Sequence, residues 1–259
     1  MPHRTSVYNL EVNLSQPEEV LAAIQAATKD KRVRIATLNP EFVMEAQQNP
    51  SFREALKGMT HCTIDGGGLS LWLSISHWLE KDLKVPARYP GADLVAHLFS
   101  RYSTGEKSFF LLGGPQGLAE KAAVTIKKDY PGIRIVGATD GGMVNPAKVS
   151  VTPLLQEELT KTQPDIILVG FGAPKQELWI QAAESLGIPV MIGVGGTFKF
   201  YTNHERAPKF MRTLHLEWLY RSFTEKGHWK RAWRAVIEFS FFALAWTLHL
   251  PSARQASQP

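Results

Sequence analysis

Cysteine is almost absent from this chain of 259 residues, where Cys62 stands alone. A single cysteine excludes an intrachain disulfide and any cysteine-rich zinc site. Long hydrophobic runs are missing too. The longest apolar stretch, 239–250, is a dozen residues, against the roughly 20 needed to span a bilayer. The opening MPHRTSVYNLEVN lacks the apolar core of a secretory signal. A reducing, cytoplasmic protein is expected. Several catalytic signatures are also absent: Gly-x-Gly-x-x-Gly, the Walker Gly-Lys-Ser/Thr, His-Glu-x-x-His and Gly-x-Ser-x-Gly. None of the seven Asp residues is spaced Asp-x-Asp, so the metal clamp of many sugar-nucleotide transferases is missing. The eight histidines show no metal-ligand spacing. Neither a metal nor a cofactor is expected.

With 44% apolar and 20% charged residues, the chain can bury a substantial core, which excludes widespread disorder. The net charge of +5 is unevenly spread. Residues 199–259 carry +6 and residues 1–198 carry −1. That asymmetry points to a polyanionic partner. In the same region Trp218, Trp229, Trp233 and Trp246 are interleaved with Arg221, Lys230, Arg231 and Arg234. Basic and aromatic residues at helical spacing fit a helix lying on a membrane. They fit equally a terminal helix packed on the core with a solvated basic face. No nucleic-acid-binding motif accompanies the charge, so nucleic acid is not the expected partner.

Up to about residue 200, short apolar runs alternate with amphipathic segments. The spacing predicts strands over 32–38, 61–65, 108–114, 133–137, 165–170 and 189–195. It predicts helices from a Ser15/Glu18 capping box to Thr28, then over 41–57, from the glycines after Asp65 to Glu80, from Gly91, and over 116–129, 147–161 and 175–186. Strands alternating with helices imply an α/β, Rossmann-like, mostly parallel doubly wound sheet. From Arg206 the pattern turns to basic, aromatic-rich helices. An α/β core over 1–205 and a helical C-terminal appendage over 206–259 are therefore expected.

Ligands of such sheets sit outside the carboxyl ends of the strands. At those ends stand Thr37 and Asn39, Asp65 to Gly68, Gly113 and Gly114, Gly170 to Gln176, and Gly195 to Thr197. In TIDGGGLS, Asp65 suits a general base with glycines leaving room beside it, or a helix N-cap. In LLGGPQG, Gly113 and Gly114 admit a diphosphate to the backbone, or make a tight turn. In FGAPKQELWI, Lys175, Gln176 and Glu177 open a helix and suit a phosphate or sugar hydroxyls, or form a solvated first turn. In RYPGAD, Arg88 suits a diphosphate, or a surface turn.

The order and spacing of these segments say more than any one of them. TLNPEFVMEA, IDGGG, RYPGADL, LLGGPQGLAEKAA, YPGIRIVG, PDIILVGFGAPKQELWI, IGVGGTFKF, RAPKFM and LEWLYR together resemble the WecG/TagA/CpsF glycosyltransferase family, glycosyltransferase family 26. The likeness runs from about residue 8 to 234. It implies an inverting, metal-independent transferase peripherally bound at the cytoplasmic membrane face. Such an enzyme moves N-acetylmannosamine or its uronate from a UDP donor to a polyprenyl-diphosphate-linked N-acetylglucosamine, for cell-surface polysaccharide or teichoic acid. It implies Asp65 as base, Thr37, Asn39 and Gln176 in the pocket, and Arg88 beside them. Lys175, Glu177, Gly195 and Gly196 belong to the family's pocket segments. Arg206, Arg221 and Arg231 match basic residues of an appendage that reaches the lipid diphosphate. The chain departs from the family pattern at Lys199, where an Asp is usual, and at Thr202-Asn203, Lys226 and His228. Lys199 would face donor phosphate or an acidic sugar. A nucleotide-sugar-binding regulator without turnover is the alternative from another class, and a nicotinamide-dependent dehydrogenase is a third.

Overall fold

The computed structural model describes residues 5–80, 85–202 and 228–248, with Pro208, Met211 and Tyr220 besides. Six all-parallel strands form the central sheet: β3 (Val33–Leu38), β4 (His61–Ile64), β5 (Ser108–Leu112), β6 (Arg134–Thr139), β7 (Ile166–Val169) and β8 (Val190–Gly193). Their spatial order is β4-β3-β8-β7-β5-β6. Every strand residue of β3, β5, β7 and β8 is buried. That is the pattern of parallel strands covered on both faces. One core holds α2 (Pro40–Gln48), α3 (Pro50–Lys57), α4 (Gly67–Glu80), α7 (Pro153–Thr162) and α8 (Lys175–Ala182). The other holds α1 (Pro17–Gln25), α5 (Gly91–Arg101) and α6 (Leu118–Asp129). The expected doubly wound α/β architecture is the one observed.

Polar chemistry closes the amino ends of the strands. Arg34, 3% exposed, donates to Glu184 at 2.8 Å and to the Val33 carbonyl at 3.0 Å. Burial pulls its guanidinium below the usual arginine range, while Glu184 opposes the shift. Asp165 accepts from both the backbone N–H and the hydroxyl of Ser108 at 2.7 Å. These groups bond to one another, save Arg34 Nη2, which has no hydrogen-bond partner among the described residues, and they are turned away from the carboxyl ends.

Local chemistry shifts several helix boundaries from their expected places. The helix expected over 41–57 is two helices, because Pro50 lacks an N–H and holds Asn49 extended (φ −122°, ψ 94°). Asn39 and Asn49 cap α2 and α3, accepting from Phe42 at 3.2 Å and Phe52 at 3.1 Å. The capping box of α1 falls one residue later than Ser15 and Glu18. Glu19 accepts from the Gln16 N–H at 2.8 Å, while Ser15 is buried and bonded to Cys62 and Asn13. Helix α7 starts at Pro153 behind its Thr152 cap, six residues later than expected. Helix α6 starts at Leu118 behind Gly117 (φ 76°).

A short hairpin, β1 (Thr5–Val7) and β2 (Leu10–Val12), was not expected from the sequence. Tyr8 and Asn9 turn it with φ of 49° and 63°, the pattern of a two-residue primed turn. Tyr8 is the seat for the last helix, α9 (His228–Thr247). Phe239, Phe242 and Trp246 of α9 meet its ring edge-on at 5.7, 5.8 and 6.2 Å. Phe239 and Ala243 enter the core shared with α2 and α4. Trp72 Nε1 of α4 donates to Ser240 at 3.2 Å. Burying the Phe239 ring alone contributes about 2–3 kcal/mol. The opposite stripe of α9, Phe241 and Leu244, is exposed, as is Leu248 just past the helix. No helix among the described residues is long and apolar enough to cross a membrane.

Candidate active site at the carboxyl ends of the strands

Thr37 is the fifth residue of β3. Its hydroxyl donates to the Gly193 carbonyl at the end of β8, 3.0 Å away. Gly91, the first residue of α5, lies against it. A Cβ on Gly91 would stand 3.2 Å from Thr37 Cγ2 and 3.4 Å from Oγ1. Glycine therefore lets α5 begin close against the end of β3.

Asp65 follows β4 directly. Its N–H donates to the Leu38 carbonyl at 2.7 Å, so it continues the sheet. Its carbonyl accepts from Arg88 Nε at 2.8 Å, and its carboxylate Oδ2 accepts from the Gly91 N–H at 3.4 Å. The half-buried carboxylate thus faces the N-terminus of α5, where the helix dipole favours negative charge. Arg88 reaches it because residues 88–89 run beside β4, with the Tyr89 N–H on the Ile64 carbonyl at 2.8 Å. Asn39 stands beside the same turn: a Cβ on Gly66 would meet Pro40 Cδ at 2.7 Å and Asn39 Cβ at 3.3 Å. Thr37, Asn39, Asp65 and Arg88, separate in sequence, are therefore one cluster.

Gln176 and Glu177 lie in the first turn of α8, above Gly193. Both are buried, at 1% and 0% exposure. Gln176 Oε1 accepts from the N–H groups of Gly172 at 3.1 Å and Gly195 at 3.0 Å. Its Nε2 donates to Glu177 Oε1 at 2.7 Å. The pair thus ties the turn after β7 to the turn after β8. A solvated first turn, one reading of this segment, does not describe these two side chains. Lys175 is half-buried at the helix start. Gly196 is exposed, and Lys199 is half-buried in the 3-10 turn Gly195–Tyr201.

Gly113 and Gly114 lie across the sheet, after β5. Both have positive φ, 107° and 89°. A Cβ on Gly113 would stand 2.9 Å from the Gly170 carbonyl carbon and 3.0 Å from the Phe171 nitrogen. Gly141, after β6, closes on Leu112 and Phe171 in the same way. This side of the edge is backbone and glycine. Glycines at strand ends were the signal for these contacts, and Gly91 and Gly193 carried it unrecognised.

Cys62 is fully buried on β4, and burial pushes its thiol up to about 12, so it offers no nucleophile at neutral pH. No group of three or more His, Cys, Asp or Glu among the described residues is placed to hold a metal. Arg206 and Arg221 lie outside the described residues, as does the side chain of Arg231.

A family model described as "Glycosyl transferase WecG/TagA/CpsF family" matches residues 5–253. The chain belongs to this family. Among its relatives is a protein of Bacillus spizizenii (strain ATCC 23059 / NRRL B-14472 / W23), 32% identical over 206 residues, or 78% of this chain and 76% of the relative. Another, from Staphylococcus aureus (strain MRSA252), is 33% identical over 77% of this chain and 74% of its own length. A third, from Bacillus subtilis (strain 168), is 29% identical over 76% and 73%. All three are named N-acetylglucosaminyldiphosphoundecaprenol N-acetyl-beta-D-mannosaminyltransferase. A glycosyltransferase family and relatives that build on a lipid diphosphate agree with the resemblance carried by the motifs.

Proposed function

We propose that this protein transfers N-acetylmannosamine or its uronate from a UDP donor to a polyprenyl-diphosphate-linked N-acetylglucosamine, with inversion. The observation that carries the reading is half-buried Asp65 at the end of β4, its main-chain carbonyl held by Arg88 and its carboxylate by the first N–H of α5. Asp65 takes the proton of the acceptor hydroxyl as that oxygen attacks the anomeric carbon. The bond from that carbon to the UDP oxygen breaks on the opposite face. Charge then grows on the leaving diphosphate, and backbone N–H groups of the Gly113 and Gly195 turns, with Arg206, Arg221 and Arg231, offset it. Lys175, Gln176 and Lys199 border the donor side. The names of the relatives support the acceptor and, of the two sugars, N-acetylmannosamine.

The lipid part of such an acceptor lies in a bilayer, and the exposed apolar stripes support a place at the membrane surface. Leu71 and Trp78 of α4 are 60% and 77% exposed. They stand on the helix that begins two residues after Asp65, hydrogen-bonded to α9 with its own exposed Phe241 and Leu244. Residues 1–205 form the reacting unit, and the basic segment from 206 supplies the acceptor phosphates with cations at the inner face of the cell membrane.

The test is acceptor-dependent UDP release. The purified chain is given the UDP derivatives of N-acetylmannosamine, its uronate, glucose and N-acetylglucosamine, with a short-chain polyprenyl-diphosphate N-acetylglucosamine. Release with one of the first two donors is expected. Tight UDP binding with no release from any donor would overturn the reading in favour of a silent regulator.

A further inference from the structure

We propose that Glu177 is a positioning residue: its buried carboxyl, joined to the Gln176 amide, fixes the separation of the Gly172 and Gly195 turns that flank the crevice. That these turns flank reacting groups rests on the transferase reading, whereas the clamp itself does not.

The Gln176 amide has one orientation open to it. Its oxygen accepts from two backbone N–H groups, on the turns after β7 and β8. Its nitrogen must then face Glu177, whose Oε1 lies 2.7 Å away. The pair fills the space beside β8. A Cβ on Gly193 would stand 2.7 Å from Gln176 Nε2 and 2.8 Å from Glu177 Oε1. Neither side chain can move toward the strand, and the two turns are held at the spacing the amide sets.

Glu177 is fully buried, and its Oε2 has no hydrogen-bond partner among the described residues. An ionised carboxylate with no cation to answer it is costly in such surroundings. Burial pushes its acid up to about 8, opposed by hydrogen bonds from Gln176 and from its own backbone N–H, which favours the neutral acid at pH 7. Among the described residues no cation on the neighbouring elements answers it. Cys62 on β4 is neutral. On α3, Arg53 donates to the Ala46 and Gln47 carbonyls and Lys57 pairs with Glu54. Glu184, just after α8, is engaged by Arg32 and Arg34.

The sign of the pH effect follows. The folded carboxyl keeps its proton to about 8, while an unfolded one loses it near 4.3. Between those values the folded state binds more protons, so stability falls as pH rises through the window and levels off above it. Ionising Glu177 strengthens the bond from the Gln176 amide but leaves a buried charge, and that cost falls on the stability of the fold.

The experiment compares wild type, Glu177→Gln and Glu177→Leu. It measures melting temperature against pH, steady-state turnover against pH, and amide hydrogen exchange at Gly172 and Gly195. Glu177→Leu is expected to lose about tenfold to a hundredfold in kcat, with little change in donor KM, and to exchange both glycine amides faster. Glu177→Gln, a mimic of the neutral acid, is expected to recover most of that turnover and to remove the pH slope of the melting temperature. Should Glu177→Leu not fold, the slope in Glu177→Gln decides. A wild-type pH slope in Glu177→Gln, or wild-type kcat and exchange in Glu177→Leu, would overturn the proposal. Absence of turnover in every protein would sink the transferase reading, while the melting and exchange arms would still judge the clamp.

Discussion

The two halves of the sheet's carboxyl edge are built differently. At the ends of β4, β3 and β8 the site consists of side chains. Asp65, Arg88, Thr37, Gln176 and Glu177 are joined by hydrogen bonds of 2.7–3.4 Å to one another or to the turns beside them. At the ends of β5, β6 and β7 it consists of backbone. Gly113, Gly141 and Gly170 press turns together where a Cβ would meet atoms at 3.0 Å or less. The difference matches a division of labour. A fixed carboxylate is suited to moving a proton, while bare backbone admits a diphosphate. In our proposal the Asp65 end of the edge moves the proton, while the glycine turns from β5 to β8 receive the donor.

Substitutions that respect one half and injure the other put this division at risk. Gly113→Ala has the largest expected effect on the nucleotide half. At φ 107° and with its Cβ 2.9 Å from Gly170, the alanine costs about 3 kcal/mol of stability. UDP affinity should fall at least about tenfold, equivalent to about 1.4 kcal/mol. Calorimetric titration with UDP and a melting curve check both, and unchanged UDP affinity would break the comparison. Thr37→Val, nearly isosteric, removes the hydroxyl bonded to Gly193. A loss of about 1 kcal/mol in stability is expected, with lower kcat and unaltered UDP affinity. Weakened UDP binding instead would move Thr37 to the other half. The double change Trp78→Ser and Phe241→Ser touches neither half. It should leave melting within about 0.5 kcal/mol while weakening binding to vesicles of anionic lipid. Equal vesicle binding by both proteins would remove the apolar stripes from the account.

The sequence made the reacting half visible as positions but not as contacts. Thr37, Asp65 and the glycines stand at strand ends, and strand ends are where α/β sheets bind ligands. That Gln176 and Glu177 are buried was hidden, because the first turn of α8 is covered by Gly193, which comes later in the chain. Polar residues after a turn otherwise read as solvated. The break at Asn49-Pro50 was written in the residues, yet apolar spacing across it suggested one helix. The hairpin at 5–12 has strands of three residues, too short for alternation to register. The apolar face of α9 was legible as a pattern. Its seat was not, because Tyr8 lies at the opposite end of the chain.

The central claim is that Asp65 moves the proton while the glycine turns hold the nucleotide. Asp65→Asn tests it directly when UDP affinity and acceptor-dependent UDP release are measured on the same preparation. The account predicts UDP binding equal to wild type and a turnover about a hundredfold to ten-thousandfold lower. Near-wild-type turnover in Asp65→Asn would contradict it.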